Sequence, residues 1–260
     1  MGRITVITSG KGGVGKTTAV ANLGVALSKL NQKVALVDMD MGLRNLDVIL
    51  GLENRIVYDL VDVAEGICPL SRALIRDHRH PGLSLLPASR ARGQDAVNVR
   101  QMRELTEQLA RTHDHVLVDC PAGIEIGFHN ALAGAHGAVI VTVPEVSAVR
   151  DAQRVTQLLA EQEIPARLFI NRVRPMMVRR GDMMDVDEVV DILGLPILGV
   201  VPEDNRVVRH NNYGLPIADG RGKAAESYAR IARRLRGEAI PIVNPAQSQG
   251  ISLLWSALGG

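Results

Sequence analysis

The run Ile4-Thr5-Val6-Ile7-Thr8-Ser9-Gly10-Lys11-Gly12-Gly13-Val14-Gly15-Lys16-Thr17-Thr18 decides how the rest of the chain is read. Its first half is short, apolar and β-branched, the composition of a buried strand. Its second half fits Gly-x4-Gly-Lys-Ser/Thr and opens a helical pattern over residues 16–30. Strand, glycine loop and helix in that order make a phosphate cradle. The glycines let successive backbone N–H groups point inward at phosphate oxygens, and the helix N-terminus adds partial positive charge. Lys16 is expected to reach the β- and γ-phosphates of ATP, and the Thr17 hydroxyl to bind Mg²⁺. Residues 10–18, from Gly10 through Gly12, Gly13, Val14 and Gly15 to Thr18, are the expected Mg-ATP contact.

Outward from the loop, short Val/Ile/Leu runs recur at residues 34–38, 83–87, 115–119, 138–143, 167–170 and 196–201. They are continuously apolar, which suits strands buried on both faces. Between them lie helical patterns at 99–112, 147–161, 186–193 and 224–236. Strand alternating with helix predicts βαβ units: an α/β fold with a largely parallel, twisted sheet and helices on both faces. Ligands of such sheets bind at the carboxyl ends of the strands. Residues 1–236 read as one domain. Residues 237–250 shift toward Pro, Asn, Gln and Ser and read as a tether.

The bulk numbers narrow the class. The chain has 260 residues, 46% hydrophobic and 22% charged, as in an ordinary globular domain. Aromatics are 2%, so the core must be aliphatic. A formal net charge of +2 gives no electrostatic case for nucleic acid, which is not an expected partner. Two cysteines, Cys68 and Cys120, support neither a disulfide framework nor a four-cysteine zinc site. No secretory signal precedes the first strand. No run approaches the roughly 18 apolar residues of a membrane span, so any membrane contact is expected to be peripheral.

Two strand ends carry acids. Val34-Ala35-Leu36-Val37-Asp38-Met39-Asp40 ends in two carboxylates, two residues apart, able to face one side of the strand end. His115-Val116-Leu117-Val118-Asp119 ends in one, and a carboxylate there can hold Mg²⁺ through water. Cys120 reads as a small buried hydrophobe.

The last ten residues hold a second pattern. Ile251, Leu254, Trp255 and Leu258 fall on one face of a short helix over residues 251–260. The face includes the only tryptophan, a residue that favours membrane interfaces.

Lys11 within Lys-Gly-Gly-Val-Gly-Lys-Thr-Thr makes the loop resemble the deviant Walker A loop of the MinD/ParA family. Asp38-Met-Asp-Met-Gly-Leu-Arg-Asn-Leu-Asp47 and Asp119-Cys-Pro-Ala-Gly123 resemble its two switches, and the likeness covers nearly the whole chain. The resemblance implies an ATP-sandwich homodimer in which Lys11 contacts the partner's nucleotide phosphates, so that Lys11, Lys16 and Asp40 are catalytic. Asp40 would position the attacking water. Asp38, with Thr17 and Asp119, would lie at the metal, and Gly123 would give its N–H to the γ-phosphate. Asn171, Pro202 and Asp204, at the ends of two strands, would contact adenine. Met41–Asp47, Val149-Arg150-Asp151-Ala152 and the apolar tail are most similar to the septum-site branch of the family. That branch implies ATP-gated peripheral attachment to the cytoplasmic face of the bacterial inner membrane, a MinC-like division inhibitor and a MinE-like activator as partners. The family's membrane helix usually carries basic residues, and none occurs between Gly237 and Gly260. Attachment to anionic or neutral lipid would then rest on apolar side chains and on the avidity of two copies. The alternative is a DNA-partitioning ATPase of the ParA type, which predicts a basic DNA-binding surface.

Overall fold

In the computed structural model, which describes residues 1–247, β1 (Arg3–Thr8) is buried from Ile4 onward and lies in the middle of an eight-stranded sheet. The chain continues through α1 (Lys16–Ser28), β2 (Val34–Asp38), α2 (Leu46–Ile49), α3 (Leu60–Ala64), α4 (Leu70–Ala73), β3 (Ile75–Arg76) and β4 (Leu83–Leu86). It then forms α5 (Val99–Ala110), β5 (His115–Asp119), α6 (Ile126–Ala131), β6 (Gly137–Thr142), α7 (Val146–Glu161) and β7 (Ala166–Val173). The last elements are α8 (Pro175–Arg180), α9 (Val186–Leu193), β8 (Ile197–Pro202), α10 (Arg206–Asn212) and α11 (Lys223–Leu235). The strand order is β3-β4-β2-β5-β1-β6-β7-β8, parallel throughout except for the edge pair β3–β4.

Successive strand residues point to opposite faces, so an unbroken apolar run must bury both. Ile7, Leu36, Leu117, Val139 and Phe169 pack under α1 and α11. Val6, Val37, Val118 and Ile140 pack under α5, α7 and α9 on the other side. α1 is buried continuously from Ala19 to Leu27, because α11 covers its outer side. Starts of helices follow local chemistry. Asp59 with Asp62, Asn98 with Gln101, and Asp185 with Glu188 form capping boxes at α3, α5 and α9.

The expected parallel α/β sheet is present, with several differences in extent. β3 is an antiparallel edge pair of two residues, too short for periodicity to reveal. β7 runs to Val173, beyond Ile170, because a register shift between Ile170 and Val173 re-forms pairing to Pro202, with Arg172 in the left-handed region at φ 54°. The segment read as a tether is, in its described part, packed on the domain. Ile242, Asn244 and Ala246 are buried, and Arg234 donates to the carbonyls of Ile240 and Pro241. Ile251, Leu254, Trp255 and Leu258 lie outside the described residues.

Candidate functional site

β1 ends where the strand order reverses, and the loop after it crosses the carboxyl edge of the sheet. Gly13 and Gly15 take left-handed φ angles of 80° and 94°. Gly15 is the N-cap of α1, so the loop's backbone passes directly into the helix N-terminus. Two neighbours fix its path. A Cβ on Gly10 would fall 2.2 Å from the backbone of Asp151 in α7. A Cβ on Gly15 would fall 2.5 Å from Nδ2 of Asn171. Asn171, 5% exposed, donates that Nδ2 to the Val14 carbonyl at 2.8 Å. Its amide thus props the loop as well as lining the cleft beside it.

Lys16 is buried at the loop's floor, whereas Lys11 is exposed on the rim. Lys11 Nζ donates to Ser147 Oγ of α7 at 3.1 Å, and Ser9 Oγ donates to the Lys11 carbonyl at 2.9 Å. Gly123, at φ 96°, lies one residue past Ala122, whose Cβ is 3.9 Å from where a Gly12 Cβ would be. The phosphate loop and the Asp119–Gly123 segment therefore meet.

Strands β2 and β5 bring Asp38 and Asp119 into register as paired residues, both 0% exposed. Burial raises the Asp38 carboxyl well above its usual range, and the Asp119 charge raises it further. Burial pushes Asp119 up to about 6, although Lys16 and Thr17 draw it back down. Asp40 is half-buried, and burial raises it too against the pull of Lys16. The Asp40 N–H donates to Asp38 Oδ1 at 2.9 Å. Asp38 Oδ2 and both Asp119 carboxylate oxygens have no hydrogen-bond partner. Three unpaired oxygens on two buried carboxylates, beside a lysine and a threonine hydroxyl, fit the donor set of a hydrated divalent cation. Mg²⁺ keeps several waters and takes one or two carboxylates plus phosphate oxygens. Thr17, Asp38 and Asp119 could hold it there. Cys120 is fully buried and its thiol is pushed up to about 12, in keeping with a packing role.

A cleft of about 230 Å³ opens beside the loop and collects Gly15, Thr18, Asn171, Pro202 and Asp204. Its wall also includes Asn211 of α10, whose Nδ2 donates to Thr18 Oγ1 at 3.2 Å. Asp204 lines the cleft, but Arg206 occupies its carboxylate through bonds of 2.9 and 2.6 Å and holds it below the usual range. Asn211 and Ser147 escaped the sequence reading. Each sits on a helix with no motif to mark it.

The pattern of the CobQ/CobB/MinD/ParA nucleotide binding domain matches residues 5–217. The chain is 50% identical over 256 residues to the septum site-determining protein MinD of Bacillus subtilis, covering 96% of each. MinD in the MinC:MinD cell division protein complex of Aquifex aeolicus superposes with a TM-score of 0.86 at 47% identity, covering 92% of this chain and 97% of that one. MinD of Pyrococcus horikoshii, complexed with Mg-ADP, superposes with a TM-score of 0.82 at 30% identity, covering 90% and 96%. With its phosphate loop, paired strand-end carboxylates and parallel sheet in the matched span, the chain belongs to the MinD branch of the CobQ/CobB/MinD/ParA nucleotide-binding family.

Proposed function

We propose that this chain is an ATP-hydrolysing switch: it dimerises around Mg-ATP, attaches peripherally to the inner membrane through residues 251–258, and recruits a MinC-like inhibitor to set the division site. The observation that carries the reading is the division of labour between two loop lysines. Lys16 is buried inside its own loop, while Lys11 stands exposed on the rim. A cation that faces outward can neutralise phosphate charge on a second molecule, which couples dimerisation to hydrolysis.

The residues divide the chemistry. Backbone N–H groups from Gly10 to Thr18 cradle the phosphates, and Lys16 neutralises charge on the β- and γ-oxygens. Mg²⁺, when bound with the nucleotide at Thr17, Asp38 and Asp119, supplies further neutralising charge. Asp40 orients a water at the γ-phosphorus, and the partner's copy of Lys11 stabilises the charge that builds up as ADP and phosphate separate. Gly123 reports the γ-phosphate to the second switch. Adenine lies in the cleft between Asn171 and Pro202. Asp204 shapes that cleft through its pairing with Arg206. An activator in the position of a MinE-like partner speeds turnover. The match to a MinD structure solved with MinC supports the inhibitor as partner.

Among the described residues no helix is long and apolar enough to cross a membrane. Attachment is therefore assigned to the tail. The test is cosedimentation with vesicles of mixed phosphatidylcholine and phosphatidylglycerol, under Mg-ATP and Mg-ADP, for the full chain and for a chain ending at Gly250. ATP-dependent pelleting that the truncation abolishes supports the switch. Pelleting that is absent or indifferent to nucleotide defeats it, and a DNA-binding assay then examines the partitioning alternative.

A further inference from the structure

We infer that α8, with the turn that follows it, is a second membrane contact that supplies the cationic attraction to anionic phospholipid that the tail lacks. This rests on the membrane attachment proposed above and adds a separate surface to it.

The argument begins with where the described chain ends. After α11 the backbone folds back over the domain. Arg234 donates to the carbonyls of Leu198 at 3.0 Å and Ile240 at 2.9 Å. Ile242 joins the core that holds Val186 and Val189 of α9. Asn244 Nδ2 donates to Asp185 Oδ1 at 3.3 Å, and Asn244 Oδ1 accepts from the Ala246 N–H at 3.0 Å. The chain is thus fixed to the Asp185 corner as far as Gln247. Ile251 follows four residues later. A fully extended chain covers at most about 3.3–3.6 Å per residue, which puts Ile251 within roughly 14 Å of Gln247. A bilayer that receives Ile251, Leu254, Trp255 and Leu258 therefore lies within reach of the surface around Asp185.

α8 and residues 181–184 lead directly into that corner. α8 buries none of its side chains. Met176 is 54% exposed, and Arg179 and Arg180 are exposed beside it. Arg174 is paired with Glu203, but Arg179 and Arg180 form no ion pair among the described residues; Arg179 Nη2 rests on Met176 Sδ at 2.9 Å. Of the acids on the turn and on α9, Asp185 and Glu188 are occupied in the cap of α9, Asp187 is half-buried on α9 near Asp185 and Asp191, and Asp182 alone lies on the turn between the arginines and that cap. Flexible methionine beside free arginines suits a headgroup boundary: the thioether enters the acyl edge and the guanidinium stays with phosphate. Each basic side chain at an anionic surface strengthens binding about fivefold.

The test uses the full chain carrying Arg179→Gln and Arg180→Gln, with Mg-ATP, on two vesicle types: phosphatidylcholine alone, and phosphatidylcholine with phosphatidylglycerol. Affinity for the anionic vesicles is expected to fall roughly 10- to 30-fold, with a flatter salt dependence, while binding to neutral vesicles is unchanged. Unchanged binding to the anionic vesicles overturns the inference, and so does equal loss on both. If the unaltered chain binds neither vesicle, the attachment reading itself fails and this inference falls with it. A second readout places an environment-sensitive dye at Met176→Cys, Cys68 and Cys120 being buried. A blue shift that needs both ATP and anionic vesicles supports the contact. A blue shift without vesicles, lost on truncation at Gly250, means the tail itself covers α8 and overturns it.

Discussion

Lys11 Nζ rests on Ser147 Oγ of α7, 3.1 Å away, so the lysine proposed to serve a partner's nucleotide is parked on its own subunit. The contact is exposed, and such a bond is worth well under 1 kcal/mol net. Ser147→Ala should leave folding unchanged and shift ATP-dependent dimerisation by no more than about threefold. Lys11→Ala should remove dimerisation while single-site nucleotide binding persists. Light scattering with Mg-ATP and a fluorescent ATP analogue reads both; a Lys11→Ala chain that still dimerises would sink the trans role.

The register pairing of Asp38 with Asp119 predicts an unusual pH dependence for the nucleotide-free protein. Asp119 is raised from 3.8 in the unfolded chain to about 6 in the fold. The folded state then binds more protons than the unfolded one between those values. The contribution is fully present below about 3.8 and is lost as pH rises to about 6, an effect on the order of 1–3 kcal/mol. Asp38, raised in the same direction, adds to it. Asp119→Asn removes this penalty, so its stability should exceed that of the unaltered chain at pH 7 and converge with it near pH 4. Urea denaturation across that range gives the comparison, and parallel curves would count against the buried-carboxylate account.

Two glycines of the loop should fail in different ways. A Gly10 Cβ would fall 2.2 Å from Asp151 backbone, which no side-chain rotation relieves. Gly10→Ala should therefore displace α7 and cost roughly 1–3 kcal/mol in the nucleotide-free protein. A Gly12 Cβ meets nothing closer than Ala122 Cβ at 3.9 Å. Gly12→Ala should fold normally, yet weaken nucleotide binding because its methyl stands where backbone must approach phosphate. Thermal melts with and without ATP separate the two. Equal loss of stability in both variants would contradict the packing argument.

How much of this was legible in the sequence depended on how local the cause was. The path from Ile4 to Thr18 is written in neighbouring residues, and so is the aspartate that closes β5. The end of β7 was not, because the apolar run stops at Ile170 while a register shift carries the strand on to Val173. Neither was the place of Asn211, which reaches Thr18 across 193 residues of sequence. The run after Gly237 has the composition of a linker, while Arg234, the distant Asp185 and the core around Ile242 hold it to the domain. β3 is set wholly by its edge partner β4.

The segment after β2 holds a strained and buried ion pair, and its removal should be costly. Arg44 has φ 46°, a conformation unfavourable for a side chain of its size, and is 9% exposed. Its Nε donates to Asp47 Oδ2 at 2.9 Å, while Asp47 Oδ1 has no partner at all. The Arg44 N–H donates to the Asp40 carbonyl at 3.1 Å, so the pair also sets the backbone that carries the proposed water-positioning acid. Arg44→Ala leaves a charged carboxylate buried and alone, a loss of roughly 3–5 kcal/mol. Relief of the left-handed residue offsets little, since alanine is strained there too. Arg44→Ala with Asp47→Ala removes both charges and should recover a large part of the loss. Denaturant melts of the two single variants and the double variant close the cycle. Simple additivity would mean the pair does not hold that segment, whereas strong coupling, with protease sensitivity at residues 41–47 in Arg44→Ala alone, is the expected result.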